Sequence, residues 1–155
     1  MTAILLANAV ATLFMTGLIW FVQVVHYPLF AAVGASEFPA YSRLHQSLTT
    51  LVVGPPMLVE AVTAAILVFA RPAGIPAWTA WTGLGLVAAI WLSTAILQVP
   101  AHGRLASGFV AETGDFLVSS NWIRTVAWTA RAALVTLMLW QALESRAGAA
   151  LTAGG

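Results

Sequence analysis

The 155-residue chain has no cysteine and no lysine, and only 7% of its residues are charged. Without cysteine there is no disulfide, no thiolate metal site and no thiol redox chemistry, and the redox compartment leaves no mark on the sequence. A soluble domain carries roughly 25% charged residues. This chain is instead 61% hydrophobic, with a mean hydropathy of +0.93, and has too little polar surface to cover a core in water. Its formal net charge of +1 gives no electrostatic footprint for nucleic acid. The composition therefore points to an integral membrane protein, multi-pass in the cell membrane, with the lipid bilayer as its first partner.

A helix needs about 20 apolar residues to cross a bilayer. Four runs qualify, at about 3–30, 50–70, 77–99 and 121–143. They are broken near Tyr27-Pro28, at Arg71-Pro72, at Pro100 and before Glu144 and Arg146, where proline or charge is expected to stop a helix. The first run lacks a basic leader and exceeds a signal-peptide core, so it reads as a retained span. Between the first two runs, Phe38, Tyr41, Leu44 and Leu48 recur at helical spacing. That predicts an amphipathic helix leading into the second span, kinked by Pro55-Pro56. Ser119 or Ser120 is expected to cap the fourth span. Tyr27, Trp78, Trp81 and Trp122 fall at span ends and fit an interfacial aromatic belt. The expected fold is all-α, an up-down four-helix transmembrane bundle over residues 1–147, followed by a short flexible tail over 148–155.

Counting helices brings distant polar residues together. Spans one and three end, and spans two and four begin, on the same side. His26, His45 and His102 are the only histidines in the chain, and all three fall at that mouth, with Asn121 and Arg124. Gln23 lies three residues before His26, Gln98 four before His102, and Asn121, Arg124, Trp128 and Arg131 form one helical stripe. Titratable groups at a membrane end are costly enough to suggest function. Deeper in the bundle, Glu60 and Arg131 are the lone acid and the lone cation, and are expected to form a structural ion pair.

Three chemistries could use the mouth. Three imidazoles could hold a zinc, copper or iron ion, although no local ligand motif supports this and no metal residue is assigned. Two histidines on facing helices could ligate a haem. Without any cofactor, His26 or His102 could act as a base on a hydrophobic aromatic or quinone-like molecule, in oxygenase- or isomerase-like chemistry, while Arg124 holds the oxyanion. Gln23, His45, Gln98, Asn121 and Trp128 would then line the substrate. No cofactor is favoured, and the oligomeric state is open. The rival class is non-enzymatic, an accessory subunit or a small-molecule binder.

The segment Ser120-Asn121-Trp122-Ile123-Arg124-Thr125, followed by an apolar helix, resembles the last helix of small four-span bacterial membrane proteins of unassigned function. These are distantly similar to the anthrone oxygenase-like family. Val24-Val25-His26-Tyr27-Pro28-Leu29-Phe30 and Gly54-Pro55-Pro56-Met57-Leu58-Val59-Glu60 look like the bacterial subgroup. The resemblance implies a four-helix bundle and, for the fungal branch, oxygenation of polycyclic phenols without a known metal or flavin. It carries Asn121 and Arg124 over as matching positions.

Overall fold

The computed structural model describes residues 1–153. Four helices, each long and apolar enough to cross a membrane, make up almost the whole chain: α1 (Thr2–Ala32), α2 (Phe38–Phe69), α3 (Ala77–Leu105) and α4 (Ala111–Ala153). They form an all-α bundle and define a multi-pass membrane protein. Helix α1 packs between α2 and α4, and α3 closes the ring against the same two. The amphipathic segment and the second span are one helix, continuous through Pro55 and Pro56.

Three boundaries differ from the sequence expectation. Pro100 does not end α3. The backbone makes a π turn over Thr94–Gln98, and the helix resumes at Val99 with Pro100 in its first turn. There the missing N–H has less to satisfy. Helix α1 uses the same device: a π turn over Val22–His26 precedes Tyr27 and a 3₁₀ segment, Pro28–Ala32. Helix α4 starts about ten residues before Ser120, at Ala111. Ser119 and Ser120 therefore cap nothing; their hydroxyls bond back to the carbonyls of Phe116 and Leu117, as serines inside helices do. Glu112 in the first turn of α4 complements the helix dipole there. At the other end α4 runs on to Ala153, so residues 148–153, expected to form a flexible tail, are helical. The last two residues of that tail lie outside the described residues.

Apolar and polar layers alternate along the bundle axis. One apolar layer joins Leu5, Ala9, Leu67, Val135 and Met138. A second joins Met15, Ile19, Met57, Ile90 and Trp128. A third, at the mouth, joins Tyr27, Phe30, Phe38, Leu105 and Leu117. A polar layer separates each pair. In lipid the outside of a bundle is as apolar as its inside, so the buried polar contacts set which helix faces meet.

The lower polar layer is closed. Glu60 and Arg131, 1% and 3% exposed, pair at 2.7 Å between Oε1 and Nε. Thr12 donates to Glu60 Oε1 at 2.8 Å, and Trp128 donates its indole N–H to Oε2 at 3.0 Å. Arg131 donates in turn to the Gly83 carbonyl at 2.6 Å, to Asn8 Oδ1 at 3.2 Å and to Thr12 Oγ1 at 3.0 Å. Charges removed from water need their remaining donors and acceptors filled, and here all four helices contribute.

Candidate functional site

The upper polar layer lies where the two π turns face α4. A π turn widens a helix by one residue and is frequent at functional sites. Here it turns Gln23 and Gln98 inward from opposite helices. Gln23 is buried, donates to the Val118 carbonyl at 3.1 Å, and accepts from Asn121 Nδ2 at 2.8 Å and Thr125 Oγ1 at 3.2 Å. Gln98 is also buried; it donates to Ser120 Oγ at 3.0 Å and accepts from Ser93 Oγ at 3.2 Å. These two amides are anchors that fasten α1 and α3 to α4.

Asn121 passes the anchoring on. Its Oδ1 accepts from Arg124 Nε at 2.9 Å and also from Nη2. The guanidinium, 8% exposed, is thereby oriented so that Nη2 donates to Tyr27 Oη at 3.1 Å while Nη1 reaches Thr94 Oγ1 at 3.4 Å. The same Tyr27 hydroxyl lies 3.0 Å from His102 Nε2. Tyr27 is thus held between a permanent cation and an imidazole. It is only 6% exposed, which corrects its expected place in the aromatic belt. Trp78, Trp81 and Trp122 are exposed in keeping with such a belt.

The three histidines lie at one end of the bundle and close together. His26 Nε2 is 2.9 Å from His45 Nδ1, which is also 3.1 Å from Thr49 Oγ1. The rings of His26 and His45 are 4.7 Å apart, and those of His45 and His102 5.3 Å apart. All three imidazoles stand edge-to-face on Phe30, at 5.3, 5.1 and 6.2 Å. A phenyl ring therefore occupies the hub of the cluster. The ring nitrogens pair off, with each other, with Thr49 and with Tyr27, rather than converging. Among the described residues no group of three histidine, aspartate or glutamate side chains could hold a metal ion.

Between α2 and α3 a cleft of about 170 Å³ reaches this layer. Tyr27, His45, Thr49, Gln98, His102 and Arg124 line it, and Thr50 and Val99 at its lip are exposed toward the bundle's outer surface. His26 does not line this cleft; it faces the seam between α1 and α2. Trp128, expected among the substrate-lining residues, is fully buried in the second apolar layer, with its indole N–H on Glu60 below. The ten residues from Asn121 to Arg131 span about 15 Å of helix, so the stripe they form feeds both layers. One buried atom of the cluster, His102 Nδ1, has no hydrogen-bond partner.

Sequence reasoning missed Tyr27, Thr49 and Phe30 as members of the site. For Tyr27 a signal existed. Placing Gln23 and His26 on the inner face also turns Tyr27, four residues from Gln23, toward that face. No protein-family model matches the chain, and neither a curated protein nor a solved structure matches it.

Proposed function

We propose that this is a cell-membrane protein that takes the head group of a lipophilic aromatic or quinone-like molecule into the α2–α3 cleft and moves a proton on it. The observation that carries this reading is Tyr27 Oη, held between Arg124 Nη2 at 3.1 Å and His102 Nε2 at 3.0 Å on the wall of that cleft. A pocket for a drug-sized ligand is about 300 Å³ or larger. A cleft of about 170 Å³ takes only part of a fused aromatic ligand, its polar edge, with the hydrophobic remainder left in the bilayer.

In this mechanism His102 is the base and acts through Tyr27. An acidic C–H bond conjugated through the ring with the ligand's carbonyl breaks, and its electron pair moves through the ring to the carbonyl oxygen as an enolate. The proton goes to Tyr27 Oη, whose own proton passes to His102 Nε2. Arg124 favours the phenolate-like oxygen of Tyr27, and its Nη1 can donate to the enolate oxygen. The relay needs Nδ1 of His102 to carry the other ring proton. The absence of a partner for that buried atom makes the free imidazole costly to hold there, as is common where a group is kept for chemistry. The likeness of the Asn121-x-x-Arg124-Thr125 segment to anthrone oxygenase-like proteins supports an aromatic ketone as ligand.

The test is solvent-deuterium exchange at the acidic carbon of anthrone, with the protein reconstituted in lipid nanodiscs. Exchange above the protein-free rate, lost in Tyr27→Phe and His102→Gln, supports the relay. A second reading is a binder without turnover. It is favoured by the mutual saturation of Gln23, Asn121 and Arg124, which is what a purely structural tether would show. It predicts saturable anthrone binding with exchange at the background rate.

A further inference from the structure

A separate feature lies on the other side of α2. Leu6, Ala7, Val10, Ala11 and Phe14 of α1 face Val52, Pro56 and Val59 of α2 across an open apolar groove of about 560 Å³. Two further hollows continue the seam. One of about 210 Å³ shares Val52 with the groove and reaches Phe21, Val22 and His26. One of about 280 Å³ shares His26, Leu48 and Thr49 with that hollow and reaches His45. The seam thus runs from Leu6 to His26. Twenty residues of helix rise about 30 Å, close to the hydrocarbon thickness of a bilayer.

Its two ends differ in chemistry. From Leu6 to Phe21 the lining is entirely apolar, and Ala7 and Ala11 give it depth where larger residues would fill it. At the mouth it meets the His26–His45 pair and the Thr49 hydroxyl. His26 Nε2 is used by His45, which leaves Nδ1 of the same half-buried ring to a ligand. No arginine lines any part of the seam. A phosphate head group would therefore bring an uncompensated charge against an apolar wall. A carboxyl group would not, since it can share its proton with an imidazole and form a strong, short hydrogen bond.

We propose that the α1–α2 seam is a binding site for one long-chain fatty acid, its tail along the groove and its carboxyl on His26. The site stands independently of the α2–α3 cleft. It differs from ordinary lipid contact in having one polar end. The chain-length dependence follows from packing, because lipid tails are as apolar as the lining and each methylene gains only its van der Waals contacts with the groove.

The experiment uses the full chain in nanodiscs and the fluorescent fatty acid cis-parinaric acid, excited by energy transfer from tryptophan. At equal mole fraction in the nanodisc lipid, palmitate should displace the probe where octanoate does not, and methyl palmitate should compete about tenfold more weakly than palmitate. Val52→Trp, which blocks the passage from the hollow beside His26 into the groove, should weaken binding by at least about tenfold. His26→Ala should abolish the preference for palmitate over its methyl ester. Leu143→Trp adds the same bulk to an exposed position on α4 and should leave binding unchanged. Equal competition by octanoate and palmitate, equal competition by acid and ester, or normal binding by Val52→Trp would each overturn the proposal. Should Val52→Trp fold poorly by circular dichroism, Leu18→Trp narrows the same hollow from α1, and normal binding by that variant is equally fatal.

Discussion

Trp128 and Glu60, 68 residues apart, meet through an indole N–H at 3.0 Å from a carboxylate oxygen that no other group uses. The contact completes the hydrogen bonding of the one acid in the bundle interior. With Thr12 and Arg131 on the other oxygen, the carboxylate has donors from α1 and α4 while it sits on α2.

That wiring predicts a large asymmetry between single and double substitutions. Arg131→Met leaves Glu60 buried without its cation and should cost about 3–5 kcal/mol. Arg131→Met with Glu60→Leu removes both charges together and should recover most of the loss. Tryptophan fluorescence during thermal unfolding in detergent would read both.

Gly83 tests the same layer from α3. A Cβ there would come within 3.1 Å of Arg131 Nη1, on the residue whose carbonyl that nitrogen already contacts. Gly83→Ala should lower stability by about 1–3 kcal/mol, as overpacking does. In the Arg131→Met background its cost should shrink, because the methionine is flexible and makes no bond to the Gly83 carbonyl.

Gly74 reports on the turn between α2 and α3. Its φ is +84°, and a Cβ would fall 2.6 Å from Cβ of Ser145 on α4. Gly74→Ala therefore combines the left-handed penalty of about 1–2 kcal/mol with a clash. Adding Ser145→Gly should return only the clash portion. Full recovery in a thermal melt would contradict the backbone part of the account.

Tyr27→Phe separates chemistry from packing. The ring stays in the apolar layer with Phe30 and Leu105, while the hydroxyl between Arg124 and His102 is lost. Anthrone exchange should fall by about a hundredfold or more, with the helical circular dichroism unchanged. Retained exchange would remove Tyr27 from the relay.

Asn121→Ala should act on the cleft indirectly. Arg124 loses the acceptor that orients it, and Gln23 loses one of its two donors from α4. A buried group left unpaired costs about 1–3 kcal/mol. Exchange should weaken along with stability, whereas Asn121→Asp, which keeps the acceptor for Arg124, should preserve more of it.

The spans were legible because a bilayer demands about 20 apolar residues, and hydropathy along this chain varies enough to show four such runs. The gathering of His26, His45 and His102 was legible from helix count alone. Depth was not: Trp128 shares a helical stripe with Asn121 and Arg124, yet seven residues of rise put it in a different layer. The π turns were hidden because a hydrophobic pattern records which face a residue is on, not the single extra residue that shifts it. Tyr27 was hidden because an aromatic residue near a span end has the same sequence signature whether it faces lipid or a guanidinium. The early start of α4 was hidden by its polar first turns, which lie beyond the apolar run.

The closed lower layer also limits what the bundle can pass. About 10 Å³ remains beside Arg131, around the least that admits one water molecule, and the side chains of Asn8, Thr12, Glu60 and Trp128 bind one another there. No open passage crosses the described part of the bundle at this layer. In the mechanism proposed above a proton would enter and leave at the histidine end, so turnover would carry no net charge across the membrane.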